Sequence, residues 1–282
     1  MRLATIRTGA GNRAVRVDGG SAVETGHSDV GTLLAQPDWL ELAAAADGPE
    51  HPADRLDFAP VVPHPEKIIC VGLNYRDHIE ETGRTPPEYP TLFAKFPPAL
   101  VGAYDDVVLP AVSDSVDWEA ELALIIGSPV RHVSAAEAGA AIAGYAVLND
   151  VSVRDYQNRT LQWLQGKMFE ATTPLGPYLV TLDELPESGP TISAEISTEL
   201  DGEVVQHSNT DQLVFDPPAL VAYLSEITTL RPGDVIATGT PGGVGHVRTP
   251  PRFLTDGAEL TTRIAGVGEC RNTCRREKLP RG

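Results

Sequence analysis

The sequence has little cysteine and a shortage of positive charge. Its 282 residues include 3 cysteines, too few for a disulfide framework, so we interpret all three as free thiols of a cytoplasmic protein. Its 22 Lys and Arg residues face 39 Asp and Glu residues, and the net charge of -17 argues against nucleic-acid and membrane partners. No apolar run reaches the roughly 20 residues that a membrane-spanning helix needs, and residues 1–7 lack the apolar stretch of a signal peptide.

The composition is that of an ordinary globular protein, with 41% hydrophobic and 22% charged residues. A proline-rich segment at 51–65 predicts a connector. We therefore expect a small N-terminal α+β domain at residues 1–60 and a larger domain at residues 65–282. Within the first, alternating residues predict strands, and a Leu- and Ala-rich stretch predicts a single helix at 30–46 with Asp29 as its N-cap.

Two glutamates stand where an alternating stretch passes into a buried strand. Residues 116–121 alternate between polar and apolar, which predicts a strand that carries Glu119 and Glu121 on one face. Residues 122–127 form a continuous apolar run, typical of a strand that enters a core. Two carboxylates about 4 Å apart repel by roughly 4 kcal/mol at an effective dielectric of 20. The pair therefore needs a proton or a cation, unless it lies on a solvated strand face.

A second apolar strand supplies a third carboxylate. Residues 143–148 are apolar and lead directly into Asn149 and Asp150. Three carboxylates with room for water suit a hard divalent cation such as Mg²⁺ or Mn²⁺, whereas zinc would prefer His and Cys ligands that are missing here. The hypothesis is therefore a metal site formed by Glu119, Glu121 and Asp150.

A histidine and a glutamate follow another predicted strand, at residues 67–73. If residues 76–81 form a helical turn, His78 and Glu81 are i,i+3 neighbours on one face. A carboxylate beside a histidine raises its basicity and fixes its tautomer, as a general base requires. The alternative is a surface helix with unrelated charges, which is the commoner origin of a lone His-x-x-Glu pattern.

Two loops and one lysine have open interpretations. The stiff proline-rich loop at 83–90 is interpreted as a lid, and its Arg84 as a solvated loop charge rather than a contact to a distal carboxylate. Lys95, among apolar residues, either reaches the surface or faces an anion. The glycine-rich loop at 239–245 lacks the P-loop lysine and the dinucleotide spacing, so it predicts close backbone approach to a small ligand rather than nucleotide binding.

Taken together, these motifs resemble the fumarylacetoacetate hydrolase family, in the family's order and over about residues 65–275. The segments that carry the resemblance are Gly72-Leu73-Asn74-Tyr75-Arg76-Asp77-His78, Asp117-x-Glu119-x-Glu121, Asn149-Asp150-Val151-Ser152-x-Arg154-Asp155, Gly166-Lys167-x-Phe169-Glu170 and Thr238-Gly239-Thr240-Pro241-x-Gly243. The resemblance, closest to the acylpyruvase and 2-hydroxyhepta-2,4-diene-1,7-dioate isomerase branch, implies an α+β fold. The fold would be a mixed β-sandwich roll with short helices, preceded here by the small N-terminal domain. The resemblance also implies a homodimer, which is usual in the family.

The resemblance also implies a set of site residues. It places Mg²⁺ or Mn²⁺ on Glu119, Glu121 and Asp150, and it matches His78 and Glu81 to a dyad that activates water. Lys167 matches a lysine of the site and is expected to be catalytic, as a donor to a developing oxyanion, with Glu170 as its expected partner although aspartate is commoner there. The expected substrate-binding residues are Tyr75, Arg76, Arg154, Gln157, Gly239 and Thr240.

The expected activity is hydrolysis of a C–C bond in a 2,4-dioxo acid of the acylpyruvate or fumarylpyruvate type, through a metal-bound enolate. In similar proteins the same kind of site catalyses other reactions. These alternatives are decarboxylation of an oxaloacetate-like acid, isomerisation of a hydroxy-diene dioic acid and dehydration of a sugar acid. A non-catalytic protein that binds oxo acids is an alternative of a different class. In each case the partner is a small 2-oxo or dicarboxylic acid, and aromatic catabolism is the expected setting.

Overall fold

The computed structural model describes residues 1–185 and 189–278, which form three β-sheets and short helices. The strands are β1 (Arg2–Thr8), β2 (Gly11–Asp18), β3 (Ser21–Glu24), β4 (Glu50–Pro52), β5 (Ile68–Gly72), β6 (Thr91–Lys95), β7 (Leu100–Val101), β8 (Val107–Leu109), β9 (Val116–Asp117), β10 (Ala120–Ile126), β11 (Ile142–Asn149), β12 (Ser152–Val153), β13 (Thr173–Thr181), β14 (Glu195–Leu200), β15 (Glu203–Asn209), β16 (Val235–Ala237), β17 (Glu259–Ile264) and β18 (Gly268–Arg276). The α-helices are α1 (Val30–Leu34), α2 (Trp39–Ala44), α3 (Arg76–Glu81), α4 (Ala135–Ala138), α5 (Arg154–Gln157), α6 (Leu164–Lys167) and α7 (Pro217–Ile227).

The largest sheet has 11 strands and mixes both directions of pairing. Its order is β4-β3-β2-β1-β13-β11-β10-β16-β5-β6, with β7 attached to β13. Most pairs are antiparallel, but β16 runs parallel to β5 and β7 runs parallel to β13. A second sheet has 5 strands in the order β15-β14-β17-β18-β8, and a third pairs β9 with β12. The expected α+β class with mixed sheets and short helices is confirmed.

The N-terminal strands continue the large sheet. Arg2 of β1 lies opposite Val180 of β13, and Leu3 lies opposite Leu179, in antiparallel pairing. The first strands and the rest of the chain therefore share one set of backbone hydrogen bonds. The division into domains at residues 1–60 and 65–282 stays a prediction.

The single helix expected at 30–46 is wrong, because two helices occupy this segment. Asp29 caps α1 as predicted, since its side chain accepts a hydrogen bond from the Thr32 backbone N–H at 2.9 Å. The helix then ends at Leu34, and α2 begins at Trp39. Pro37 lies in the gap, and a proline both lacks the backbone N–H that a continuous helix needs and disfavours helical geometry in the residue before it.

The strand expected at 116–121 is interrupted at Trp118 and Glu119, between β9 and β10. The Trp118 N–H donates to its neighbour Asp117 at 2.8 Å, and the Glu119 N–H donates to the Asn149 side chain at 3.0 Å. Side chains therefore take the place of a partner strand at these two residues. The chain leaves the small β9–β12 sheet and enters the large sheet at Ala120, with Glu121 one residue further on.

The apolar run that follows is a strand buried on both faces. All seven residues of β10 are buried. Leu122 and Leu124 pack in the core cluster that includes α7, whereas Ala123 and Ile125 pack in the cluster that includes α1 and α2. Contact on both faces holds the end of β10 firmly, and this end carries Glu121.

Among the described residues no helix is long and apolar enough to cross a membrane.

Candidate active site

Three acidic side chains converge at the ends of β10 and β11. One carboxylate oxygen from each of Glu119, Glu121 and Asp150 lies within 4.8 Å of the other two, and all three residues are buried. Ala120 pairs with Asn149 across the two strands, and the Asp150 N–H donates to the Glu119 carbonyl at 2.8 Å. The backbone therefore fixes the three residues relative to one another.

Two of the three carboxylates are held by buried cations. Lys167 donates to Glu119 and to Asp150, with both Nζ–O distances at 2.7 Å. Lys95 donates to the other Asp150 oxygen at 2.7 Å, and the Arg154 guanidinium lies 2.7 Å from the other Glu119 oxygen. Lys95 therefore faces an anion and does not reach the surface.

The two glutamates differ in their electrostatic state. Burial raises the pKa of Glu119, but the charges of Lys167 and Arg154 outweigh burial and lower it to about 2. Glu121 has no cationic partner within the described part of the chain, and it accepts the Gly239 N–H at 2.8 Å. Burial raises the pKa of Glu121 well above its ordinary value, and the Asp150 and Glu119 carboxylates raise it further.

The unpaired Glu121 carboxylate suits a bound cation. Glu121 belongs to a cluster of four buried carboxylates and three buried cations, which carries one net negative charge when fully ionised: Asp117, Glu119, Glu121, Asp150, Lys95, Arg154 and Lys167. The triad offers oxygen atoms alone, which hard divalent cations prefer. The chemistry of these residues therefore fits a metal such as Mg²⁺ or Mn²⁺.

Glu119 and Glu121 of the triad line a cavity of about 360 Å³. The predicted dyad lies on the cavity wall, where His78 Nδ1 is 3.1 Å from Glu81 Oε2 on the predicted helical turn, α3. The other Glu81 oxygen accepts the Gly243 N–H at 3.0 Å. Burial raises the pKa of Glu81, but its hydrogen bonds to His78 and Gly243 outweigh burial and lower it. Glu81 therefore orients the histidine and ties α3 to the glycine-rich loop.

The predicted substrate-binding residues fall into two groups. Arg154, Gln157 and Thr240 line the cavity, and Arg154 donates to the Gln157 side chain at 2.9 Å. The remaining three residues lie outside the cavity lining: Tyr75 is fully buried, Arg76 is exposed and donates to the Asp211 carbonyl, and Gly239 holds Glu121. Their expected contact with substrate has no support in this geometry and stays a prediction.

An aromatic wall of the cavity was not predicted from the sequence. Phe93 and Trp163 pack edge to face with ring centroids 5.6 Å apart, and Lys167 Nζ lies 4.8 Å from the Phe93 ring centre. A Cβ at Gly72 would meet the Trp163 ring at 2.4 Å, so a glycine is required there for close approach. Glu170 is exposed and makes no bond to Lys167, so the expected pairing is wrong.

Asp117 organises one side of the cavity, a role that no pattern in the sequence predicts. Its carboxylate accepts the Gly245 N–H at 2.7 Å and the His246 N–H at 2.9 Å, and it accepts the Arg154 Nε at 2.8 Å. His246 lines the cavity. Asp117 therefore fixes both the glycine-rich loop and the arginine that reaches Glu119. These contacts join residues that are far apart in the chain.

Comparison with known proteins identifies the family. The sequence model described as "Fumarylacetoacetate (FAA) hydrolase C-terminal" matches residues 67–275. The chain belongs to the fumarylacetoacetate hydrolase family. The resemblance expected from the motifs is confirmed, and the chain is a member of an enzyme family with an acidic triad suited to a metal.

Several members of this family are similar over most of the chain. "Oxaloacetate tautomerase Fahd2a, mitochondrial" of Rattus norvegicus is 45% identical over 227 residues, which cover 80% of this chain and 72% of that protein. The structure of 5-carboxymethyl-2-hydroxymuconate delta-isomerase from Mycobacterium smegmatis has a TM-score of 0.81 and 35% identity, covering 99% of this chain and 100% of that one. The fumarylacetoacetate hydrolase of Exiguobacterium antarcticum has a TM-score of 0.85 and 29% identity, covering 98% and 100%.

Proposed function

We propose that this protein is a metal-dependent isomerase that interconverts the enol and keto forms of an oxaloacetate-like 2-oxo dicarboxylic acid. The observation that carries the proposal is the unpaired Glu121 carboxylate in a triad that shares one cavity with the His78–Glu81 dyad. The names of an oxaloacetate tautomerase and a muconate isomerase among its relatives favour isomerisation, one of the alternatives above, over C–C hydrolysis.

Glu119, Glu121 and Asp150 would hold the metal, Mg²⁺ or Mn²⁺. A divalent ion at this site supplies a Lewis acid that stabilises negative charge on the 2-oxo oxygen of a bound acid. Lys167 keeps Glu119 and Asp150 together through its two 2.7 Å hydrogen bonds. The role of the buried lysine is therefore to position the ligand carboxylates.

His78 would transfer the proton at C3 of the substrate. Its Nδ1 is hydrogen bonded to Glu81, which leaves Nε2 as the ring nitrogen free to take a proton from C3 or return it. A histidine oriented in this way contributes roughly 10²–10⁴-fold to a rate. Arg154 and Gln157, which bond to each other in the cavity, would orient the substrate carboxylate next to the 2-oxo group.

The test follows the ultraviolet absorbance of enol oxaloacetate during its conversion to the keto form. The wild type is dialysed against EDTA and supplied again with Mg²⁺ or Mn²⁺, beside reactions that contain the metal ion alone. We expect protein-dependent conversion that EDTA abolishes, without release of CO₂ or pyruvate. Conversion at the rate of the metal ion alone would refute the proposal and favour a non-catalytic binder. Release of CO₂ would instead identify a decarboxylase.

A second candidate is hydrolysis of an acylpyruvate, which the His78–Glu81 dyad also supports. His78 would take a proton from water, the water oxygen would add to the C4 carbonyl, and the bond between C3 and C4 would break. Return of the proton to C3 would give pyruvate and a second carboxylic acid. Incubation with acetopyruvate and fumarylpyruvate tests this reaction by release of pyruvate.

A homodimeric state and a cytoplasmic location also remain predictions, to be measured by light scattering of the purified protein and by fractionation of cells.

A further inference from the structure

Arg84 lines the cavity and is held at a fixed offset from the dyad. Helix α3 ends in a glycine cap: the Gly83 N–H donates to the Glu80 carbonyl at 3.0 Å, and the Arg84 N–H donates to the Ile79 carbonyl at 3.1 Å. Gly83 has a φ of +67°, the left-handed geometry that this cap requires. The backbone of Arg84 is therefore anchored to the same helical turn that carries His78.

Arg84 differs from the buried cations of the site because it has no carboxylate partner among the residues that the structure describes. The charges of Arg154, Lys95 and Lys167 are each paired with a carboxylate. The Arg84 guanidinium makes no ion pair or hydrogen bond with any residue in the described ranges. Glu81, the acid of α3 that is closest to Arg84 in the sequence, is already engaged by His78 and by a backbone N–H. An exposed guanidinium that faces a cavity without a partner is available to an anionic ligand.

The charge of the buried cluster leads to the same conclusion. The cluster of four carboxylates and three cations has one net negative charge, and a divalent ion would leave it with one net positive charge. That charge balances one substrate carboxylate, the one next to the 2-oxo group. A second carboxylate on the same molecule needs another cation at the cavity, and Arg84 meets this need.

We propose that Arg84 binds the distal carboxylate of the substrate and thereby selects dicarboxylic over monocarboxylic 2-oxo acids. The inference rests on the proposed function for the identity of the reacting 2-oxo group. It replaces the interpretation of Arg84 as a solvated loop charge. Because the cap anchors Arg84 beside His78, a substrate bound by its distal end is also placed against the proposed base.

The experiment compares two substrates that differ at the distal carboxylate alone, enol oxaloacetate and its 4-methyl ester. We measure kcat/KM for the wild type, Arg84→Gln and Arg84→Lys with Mn²⁺ present. Arg55→Gln is the matched control, because Arg55 is an exposed arginine that does not line the cavity. Arg84→Gln should lower kcat/KM for oxaloacetate by about 10- to 100-fold, mainly through KM, and leave the ester unchanged. Arg84→Lys should retain part of the preference, and Arg55→Gln all of it.

Binding provides a readout that does not depend on turnover. Calorimetry with 2-oxoglutarate and 2-oxopentanoate compares a dicarboxylate and a monocarboxylate of equal chain length. We expect the wild type to bind the dicarboxylate more tightly and Arg84→Gln to lose this preference. If Arg84→Gln lowers kcat/KM equally for both substrates, or affinity equally for both ligands, Arg84 has a structural role. If Arg84→Gln lowers neither quantity, Arg84 is a solvated charge. Either result overturns the inference. A wild type that prefers the dicarboxylate in binding but turns over neither substrate refutes the proposed function alone.

Discussion

Replacing Glu121 with glutamine should stabilise the metal-free protein although it removes a proposed metal ligand. Glu121 is buried beside Glu119 and Asp150, and no cation pairs with it in the described part of the chain. Two carboxylates at the 4.8 Å limit of the triad repel by about 3–4 kcal/mol at an effective dielectric of 20. Lys167 offsets part of this repulsion. We therefore expect Glu121→Gln to raise the free energy of unfolding by about 1–3 kcal/mol without metal.

The assay is denaturant unfolding, with thermal melting as a second measure, first in EDTA and then with Mn²⁺. In a chain of this size each kcal/mol shifts the melting temperature by roughly 2–4 °C. Glu119→Gln is the matched control, because Glu119 is paired with Lys167 and Arg154 and its loss leaves buried cations unpaired. We expect this control to destabilise the metal-free protein by about 3–5 kcal/mol. Both variants should lose the stabilisation that Mn²⁺ gives to the wild type.

The dependence of stability on pH provides a second check on the expected direction of the Glu121→Gln effect. The pKa of Glu121 is raised in the folded protein, so the folded state binds its proton at pH values where the unfolded chain has released it. The stability of the metal-free wild type should therefore fall as pH rises above the ordinary glutamate pKa. The stability of the metal-free Glu121→Gln variant should fall less steeply over the same range. If Glu121→Gln destabilises the metal-free protein as much as Glu119→Gln does, the reasoning about the unpaired carboxylate is wrong.

Three further variants test other parts of the site. His78→Ala should lower the rate of enol–keto conversion by roughly 10²–10⁴-fold in steady-state assays with little change in melting temperature, and an unchanged rate would exclude His78 as the base. Gly72→Ala places a Cβ 2.4 Å from the Trp163 ring, so we expect a lower melting temperature and a raised KM. Asp117→Asn removes a buried charge that is paired with Arg154, so we expect a lower melting temperature together with a raised KM. A fall in kcat alone would contradict this.

Local patterns predicted much of the candidate site. The i,i+3 spacing of His78 and Glu81 was sufficient to predict their contact, because a single helical turn determines it. The carboxylates of Glu119, Glu121 and Asp150 were also predicted to converge, since each belongs to or directly precedes or follows a strongly patterned strand. The break between β9 and β10 was missed, because the Asn149 side chain that satisfies the Glu119 N–H comes from another strand.

The aromatic wall and the lining role of Arg84 could not be predicted. Trp163 lies in an irregular connection where no periodicity restricts its direction, and its packing on Gly72 joins segments about ninety residues apart in the chain. For Arg84 the sequence offered a charge in a proline-rich loop, which is typical of a solvated surface. The cap of α3 at Gly83 turns the chain so that Arg84 faces the cavity.

The sequence by itself determined the chemical groups of this protein: three acids for a hard cation, a histidine with its orienting glutamate, and the family to which the chain belongs. Only the tertiary structure decided the charge state of each acid. Lys167 is 48 residues from Glu119, and Lys95 is 55 residues from Asp150, so no local pattern could assign these pairs. Burial strengthens electrostatic interactions, and the folded arrangement of a few buried cations therefore determines that Glu121 is the carboxylate left for a metal ion or a proton.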